Sequence, residues 1–86
     1  MNEKINEKIS VVTVFDREKR TVMPQKIKWQ GRIYIIDKIG YHHKVKQGKK
    51  LLHIFSVSNN SLAFRLELDT ETLFWRLDEV SDGLAS

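Results

Sequence analysis

The stretch KLLHIFSVSNNSLAFRLELDTETLFWRLD, Lys50–Asp78, decides the fold. It holds three runs of apolar residues separated by Asn59-Asn60 and Thr70-Glu71. Asparagine tolerates positive φ, so a two-residue turn at Asn59-Asn60 closes a hairpin. Ser58 then faces Ser61, Val57 faces Leu62, Phe55 faces Phe64, His53 faces Leu66 and Leu51 faces Leu68. A second tight turn at Thr70-Glu71 sets Leu68 against Leu73, Leu66 against Trp75 and Phe64 against Leu77. Placed independently, the two turns gather Leu51, Phe55, Val57, Leu62, Phe64, Leu66, Leu68, Leu73, Trp75 and Leu77 on one face. A slip of one residue would send the whole set to solvent. The other face holds Arg65, Glu67, Asp69, Arg76 and Asp78, together with Leu52, Ile54 and Phe74.

Upstream, a turn at Gln30-Gly31 pairs Trp29 with Arg32, Ile27 with Tyr34 and Gln25 with Ile36. Ile27, Trp29, Tyr34 and Ile36 then share a face. The run Ile33-Tyr34-Ile35-Ile36 is apolar on both sides, as in a strand that bends between packed surfaces. Gly40 is placed to form a bulge there, and Pro24 belongs at a strand start or edge. The strands expected are Ile9–Phe15, Gln25–Trp29, Arg32–His43, Lys50–Ser58, Ser61–Asp69 and Thr72–Asp78. The fold class is therefore all-β: about six antiparallel strands in a small half-open barrel or two-layer sheet, ending in a three-strand meander.

The 86 residues have room for one domain, expected over residues 10–79, with residues 1–9 and 80–86 as flexible termini. A 41% hydrophobic, 30% charged composition belongs to a folded chain. With no cysteine there is no disulfide, thiolate chemistry or cysteine-bound zinc. The opening MNEKINEKIS lacks the apolar run of a signal peptide, and no stretch is apolar enough for a helical span. A cytoplasmic location and no membrane partner are expected. Enzymatic motifs are absent, and a core of this size leaves little room for a pocket of about 300 Å³, so a non-enzymatic protein without cofactor is expected.

The charge is uneven. Residues 32–58 carry six basic side chains against one acidic, and residues 59–86 carry two against six. Arg32, His42, His43, Lys44, Lys46, Lys49 and Lys50 are the candidate phosphate contacts. Lysines on a hairpin neutralise phosphates and release counterions. Trp29, Tyr34 and Tyr41 are the aromatic faces near them, although the first two belong to the inferred core. A basic loop that only keeps a small protein soluble is the competing reading. His42 and His43 alternate in direction and do not share a metal ion, so no metal site is expected. His53, on the apolar face, is expected to be neutral with a backbone partner. Leu52, Ile54 and Phe74 form the candidate patch for a protein partner or second copy, unless the first strand covers them.

The run Pro24-x-x-Ile27-x-Trp29-x-Gly31-Arg32-x-Tyr34-x-Ile36-x-x-Ile39 resembles the core signature of a family of small bacterial proteins of unknown function. Phe55-x-Val57, Phe64-x-Leu66 and Asp69 before Trp75-x-Leu77 continue the likeness, which spans about residues 10–78. Some members of that family are associated with translesion, Y-family DNA polymerases. The resemblance implies a nucleic-acid-associated or DNA-repair accessory role and no catalytic residue. Where the family has an aromatic after the central strand, this chain has Tyr41-His42-His43-Lys44.

Overall fold

A computed structural model describes residues 2–82, and each regular element in it is a β-strand. The strands are β1 (Asn2–Asp16), β2 (Thr21–Trp29), β3 (Arg32–Ile35), β4 (Lys38–Gln47), β5 (Lys50–Ser58), β6 (Leu62–Asp69) and β7 (Trp75–Asp82). They form one antiparallel sheet in the order β3-β2-β1-β7-β6-β5-β4, which does not close into a barrel. There are seven strands rather than six because the run Arg32–His43 is divided. Ile36 N–H bonds to Gln25 O and Asp37 N–H bonds to Ser58 O, both at 2.9 Å. At these two residues the chain leaves β2 and joins β5. The strand apolar on both sides thus bends, but it is not packed on both: Ile33 and Ile35 are exposed, and its halves become the two edges of the sheet.

The sheet curls far enough for Tyr34 on one edge strand to meet Phe64 on β6, edge to face at 5.4 Å. Trp29 lies 6.0 Å from Tyr34 in the same layer. Beneath them Ile27, Phe55, Phe64, Leu66 and Leu77 are the largest fully buried side chains. Removing a side chain of this kind from water contributes about 1.5–3 kcal/mol. The β2–β3 hairpin therefore covers the inner face of the meander.

The meander has the expected strands in a shifted register. Val57 faces Phe64, Phe55 faces Leu66 and His53 faces Leu68, two residues from the expected pairing. Asn59 explains the shift. Its Oδ1 accepts bonds from Ser61 N–H at 3.0 Å and Leu62 N–H at 2.8 Å, so a longer loop replaces the two-residue turn. At the next turn, Asp69 Oδ1 accepts a 2.8 Å bond from Glu71 N–H, and Asp69 N–H reaches Phe74 O at 3.0 Å. Leu68 then faces Trp75 instead of Leu73. A shift of two leaves each side chain on its original face. Seven of the ten expected core residues are fully buried, and Leu51 and Leu62 are partly so. Leu73 is the exception. It sits in the loop at φ 65° and is 71% exposed.

Bulges shape the remaining strands. The β4–β5 register shifts between Ile39 and Tyr41, at the expected Gly40. Pro24 lies in β2 beside a register shift, beyond Lys26–Trp29, the segment that pairs with β3. There β2 has only β1 beside it, with Thr13 opposite Pro24, so the proline, which has no N–H to donate, sits where β2 is locally an edge. At the start of the chain, Asn2–Ser10 is strand, not a frayed terminus. It pairs with β7 around a bulge at Asn6, whose φ is 55°. Arg76 Nη1 holds that bulge by donating to Asn6 O at 3.1 Å and Asn6 Oδ1 at 3.0 Å. Val80–Asp82 likewise extends β7, whereas residues 83–86 of the expected flexible end lie outside the described residues.

Candidate functional site

The β4–β5 hairpin carries most of the candidate phosphate contacts. Its two-residue turn places Gly48 at φ 64°, and Gln47 pairs with Lys50. Lys44, Lys46, Lys49 and Lys50 are all exposed and lie within one short edge hairpin. Lys50 Nζ forms an ion pair with Asp69 Oδ2 at 3.3 Å. Among the described residues, Lys44, Lys46 and Lys49 have no carboxylate partner. Asp69 is held below the usual carboxylate range first by the Glu71 backbone N–H and also by Lys50. β4 pairs only with β5, so its outer edge is open. Lysines along such an edge also repel other strands, which is the solubilising reading in structural form.

The bulge at Gly40 determines which side chains share a side. Ile39 faces Val57 and His42 faces Phe55, so both point toward the core despite their odd spacing. Lys44 opposite His53 and Lys46 opposite Leu51 continue that side toward the hairpin tip. Tyr41, His43 and Val45 point the other way. The His43 ring lies tilted against Tyr41, with centroids 4.7 Å apart, and its buried Nδ1 has no hydrogen-bond partner. Arg32 is separated from the lysines in the sheet order, because it opens β3 at the opposite edge.

The structure reveals one pairing that the sequence does not announce. His42 Nε2 lies 2.7 Å from His53 Nδ1. His42 stacks on Phe55 with centroids 4.2 Å apart and planes 5° apart. The expected apolar-face histidine thus has an imidazole partner, not a backbone one. Both rings are held below the ordinary imidazole range, first by burial and then by neighbouring cations. Among the described residues, no group of three or more His, Asp or Glu is placed to hold a metal ion.

Of the aromatic faces, Trp29 and Tyr34 are packed against the core, whereas Tyr41 is 57% exposed. The candidate apolar patch is not a continuous exposed surface. Leu52 and Ile54 are each 5% exposed, with Asp69 and Glu67 as their cross-strand neighbours. β1 does not cover them, because it lies within the sheet between β2 and β7. Phe74 is exposed beside them, with Lys8 Nζ 4.6 Å from its ring centroid.

The curled sheet carries open clefts. One of about 440 Å³ is lined by Lys8, Leu52, Glu67 and Phe74 on the outer face. Another of about 290 Å³ lies where Lys19 and Met23 approach Gly40 and His42. Both are surface features of the curled sheet. No helix of the described residues is long and apolar enough to cross a membrane. No family model, curated protein or solved structure matches the chain.

Proposed function

We propose that the protein is a non-enzymatic binding module that contacts nucleic-acid phosphates through the β4–β5 hairpin. The observation that carries this reading is the set Lys44, Lys46 and Lys49: three exposed cations on one open-edge hairpin, without carboxylate partners among the described residues. Charges so placed are available to a polyanion and gain from counterion release. The resemblance of Pro24–Ile39 to small bacterial proteins, some associated with translesion polymerases, supports a DNA-repair accessory role.

Binding of single- and double-stranded oligonucleotides across a salt series tests this reading. Affinity is expected to fall with salt, with a logarithmic slope of about −0.7 per phosphate contacted on a single strand. Absence of binding at low salt contradicts it. Neutralising Lys44, Lys46 and Lys49 together should flatten the slope by about two units.

A protein-interaction module is the second reading, and a different apolar surface supports it. Ile33 and Ile35 on edge strand β3 are 66% and 59% exposed, opposite Lys28 and Lys26. These isoleucines, unlike Leu52 and Ile54, are open to a partner, as Phe74 also is. Ile33→Glu should abolish such an association, as measured by gel filtration over a concentration range.

A further inference from the structure

The inner side of the β4–β5 hairpin holds a pair of titratable groups that simple charge neutralisation does not use. A hydrogen bond between His42 Nε2 and His53 Nδ1, 2.7 Å apart, requires a proton on one nitrogen and a lone pair on the other. One of the two rings is therefore neutral while the bond lasts. A proton on every ring nitrogen would set two N–H donors against each other. The rings are stacked, with centroids 5.0 Å apart, and His42 also lies flat on Phe55.

The charged neighbours are of one sign. Lys44 on β4 acts on both rings, and His43 acts on His42. Lys19, from the β1–β2 turn, lines the same cleft as His42. β6 presents Leu68 opposite His53, and β7 presents Trp75 against Phe55, so neither adds a titratable group there. No carboxylate acts on either imidazole. The cluster has several cations or latent cations and no counter-charge of its own.

We propose that polyanion binding at this hairpin is proton-linked: a phosphate that reaches Lys44 is taken up together with a proton on the His42–His53 pair. The inference rests on the reading of the hairpin as a phosphate-binding surface. The proton occupies the ring nitrogen that had been the acceptor, and the imidazole–imidazole bond opens. The released N–H donors then have the phosphate oxygens as acceptors. The anion supplies the negative charge that the cluster lacks, so each uptake favours the other. Affinity rises as pH falls through the imidazole range, by up to about tenfold per pH unit for one linked proton.

The test measures fluorescence anisotropy of a labelled oligothymidylate of about ten residues, at constant ionic strength, between about pH 8 and about pH 5.5. Wild-type affinity is expected to rise as pH falls. The double variant His42→Phe, His53→Leu keeps a ring on Phe55 and an apolar contact to Leu68, and should lose that rise. Calorimetry of the wild type in two buffers of different protonation enthalpy reads the linkage directly and needs no variant. Uptake of about half to one proton per oligonucleotide near pH 6.5 is expected. Binding with no proton uptake, or with the same pH slope in the double variant, overturns the linkage alone. Absence of binding at every pH overturns the phosphate-binding reading beneath it.

Discussion

The β2–β3 and β4–β5 hairpins are each closed by two residues, Gln30-Gly31 with both at positive φ and Gly48-Lys49 with only the glycine there, and they end differently. Each has a two-residue turn with a glycine at positive φ, Gly31 at 74° and Gly48 at 64°. Each contributes an edge strand of the sheet. Yet the first directs Ile27, Trp29 and Tyr34 over the core, while the second raises Lys44, Lys46 and Lys49 into solvent. The turn closes the hairpin; the side chains it carries decide whether it covers the core or stands out in solvent. In β4–β5 the two roles meet at His42, which is stacked on a core phenylalanine below a row of lysines.

The sharpest way to break this contrast is to remove the surface on which the β2–β3 cover rests. Phe64→Ala deletes a fully buried ring that Tyr34 packs against, and should cost about 3–5 kcal/mol in urea unfolding. A smaller and symmetrical effect is expected at the turns. Gly31→Val and Gly48→Val each force a branched side chain into the left-handed region, at about 1–2 kcal/mol each. Nothing lies within 4 Å of either added Cβ, so backbone strain is the cost. Oligonucleotide binding should fall for Gly48→Val and persist for Gly31→Val.

Protonation should separate the two hairpins more gently. The folded state holds the His42 and His53 pKa values below their ordinary value, so the unfolded chain binds more protons there. Stability is then fully present above about pH 6.5 and declines as pH falls below it. The double variant His42→Phe, His53→Leu should remove that decline from thermal melts recorded between about pH 7 and pH 5. Asp78 has the opposite sign. Burial first, and then Glu67, push its carboxyl above the ordinary range. The folded state therefore binds the proton more tightly, and stability from this group is lost as pH rises through the carboxyl range. Asp78→Asn should raise stability at neutral pH by a few tenths of a kcal/mol, about the size of a partly exposed charge effect.

The faces of the meander were legible in the sequence, while its exact pairing was not. Asn59 and Asp69 each turn a side-chain oxygen back to two downstream backbone N–H groups, which lengthens both loops. Alternation is blind to an even shift, so Phe55, Phe64 and Leu66 keep their side while their partners change. The first strand was hidden for a related reason. Between Asn2 and Ser10 its apolar residues are Ile5 and Ile9 alone, and Glu7 between them breaks the alternation that marks a strand. The position of Gly40 did suggest a bulge, but its consequence for His42 required the ladder. Without that extra residue, His43 would have faced Phe55's side. No spacing rule links His42 to His53, because their contact depends on the bulge and on the hairpin register together.

Amide chemical-shift mapping during an oligothymidylate titration at low salt tests the central claim most directly. The largest shifts are expected at Tyr41–Lys50 on the β4–β5 hairpin and should fade as salt is added. Shifts confined to Ile33 and Ile35 on β3, or none at all, would contradict it.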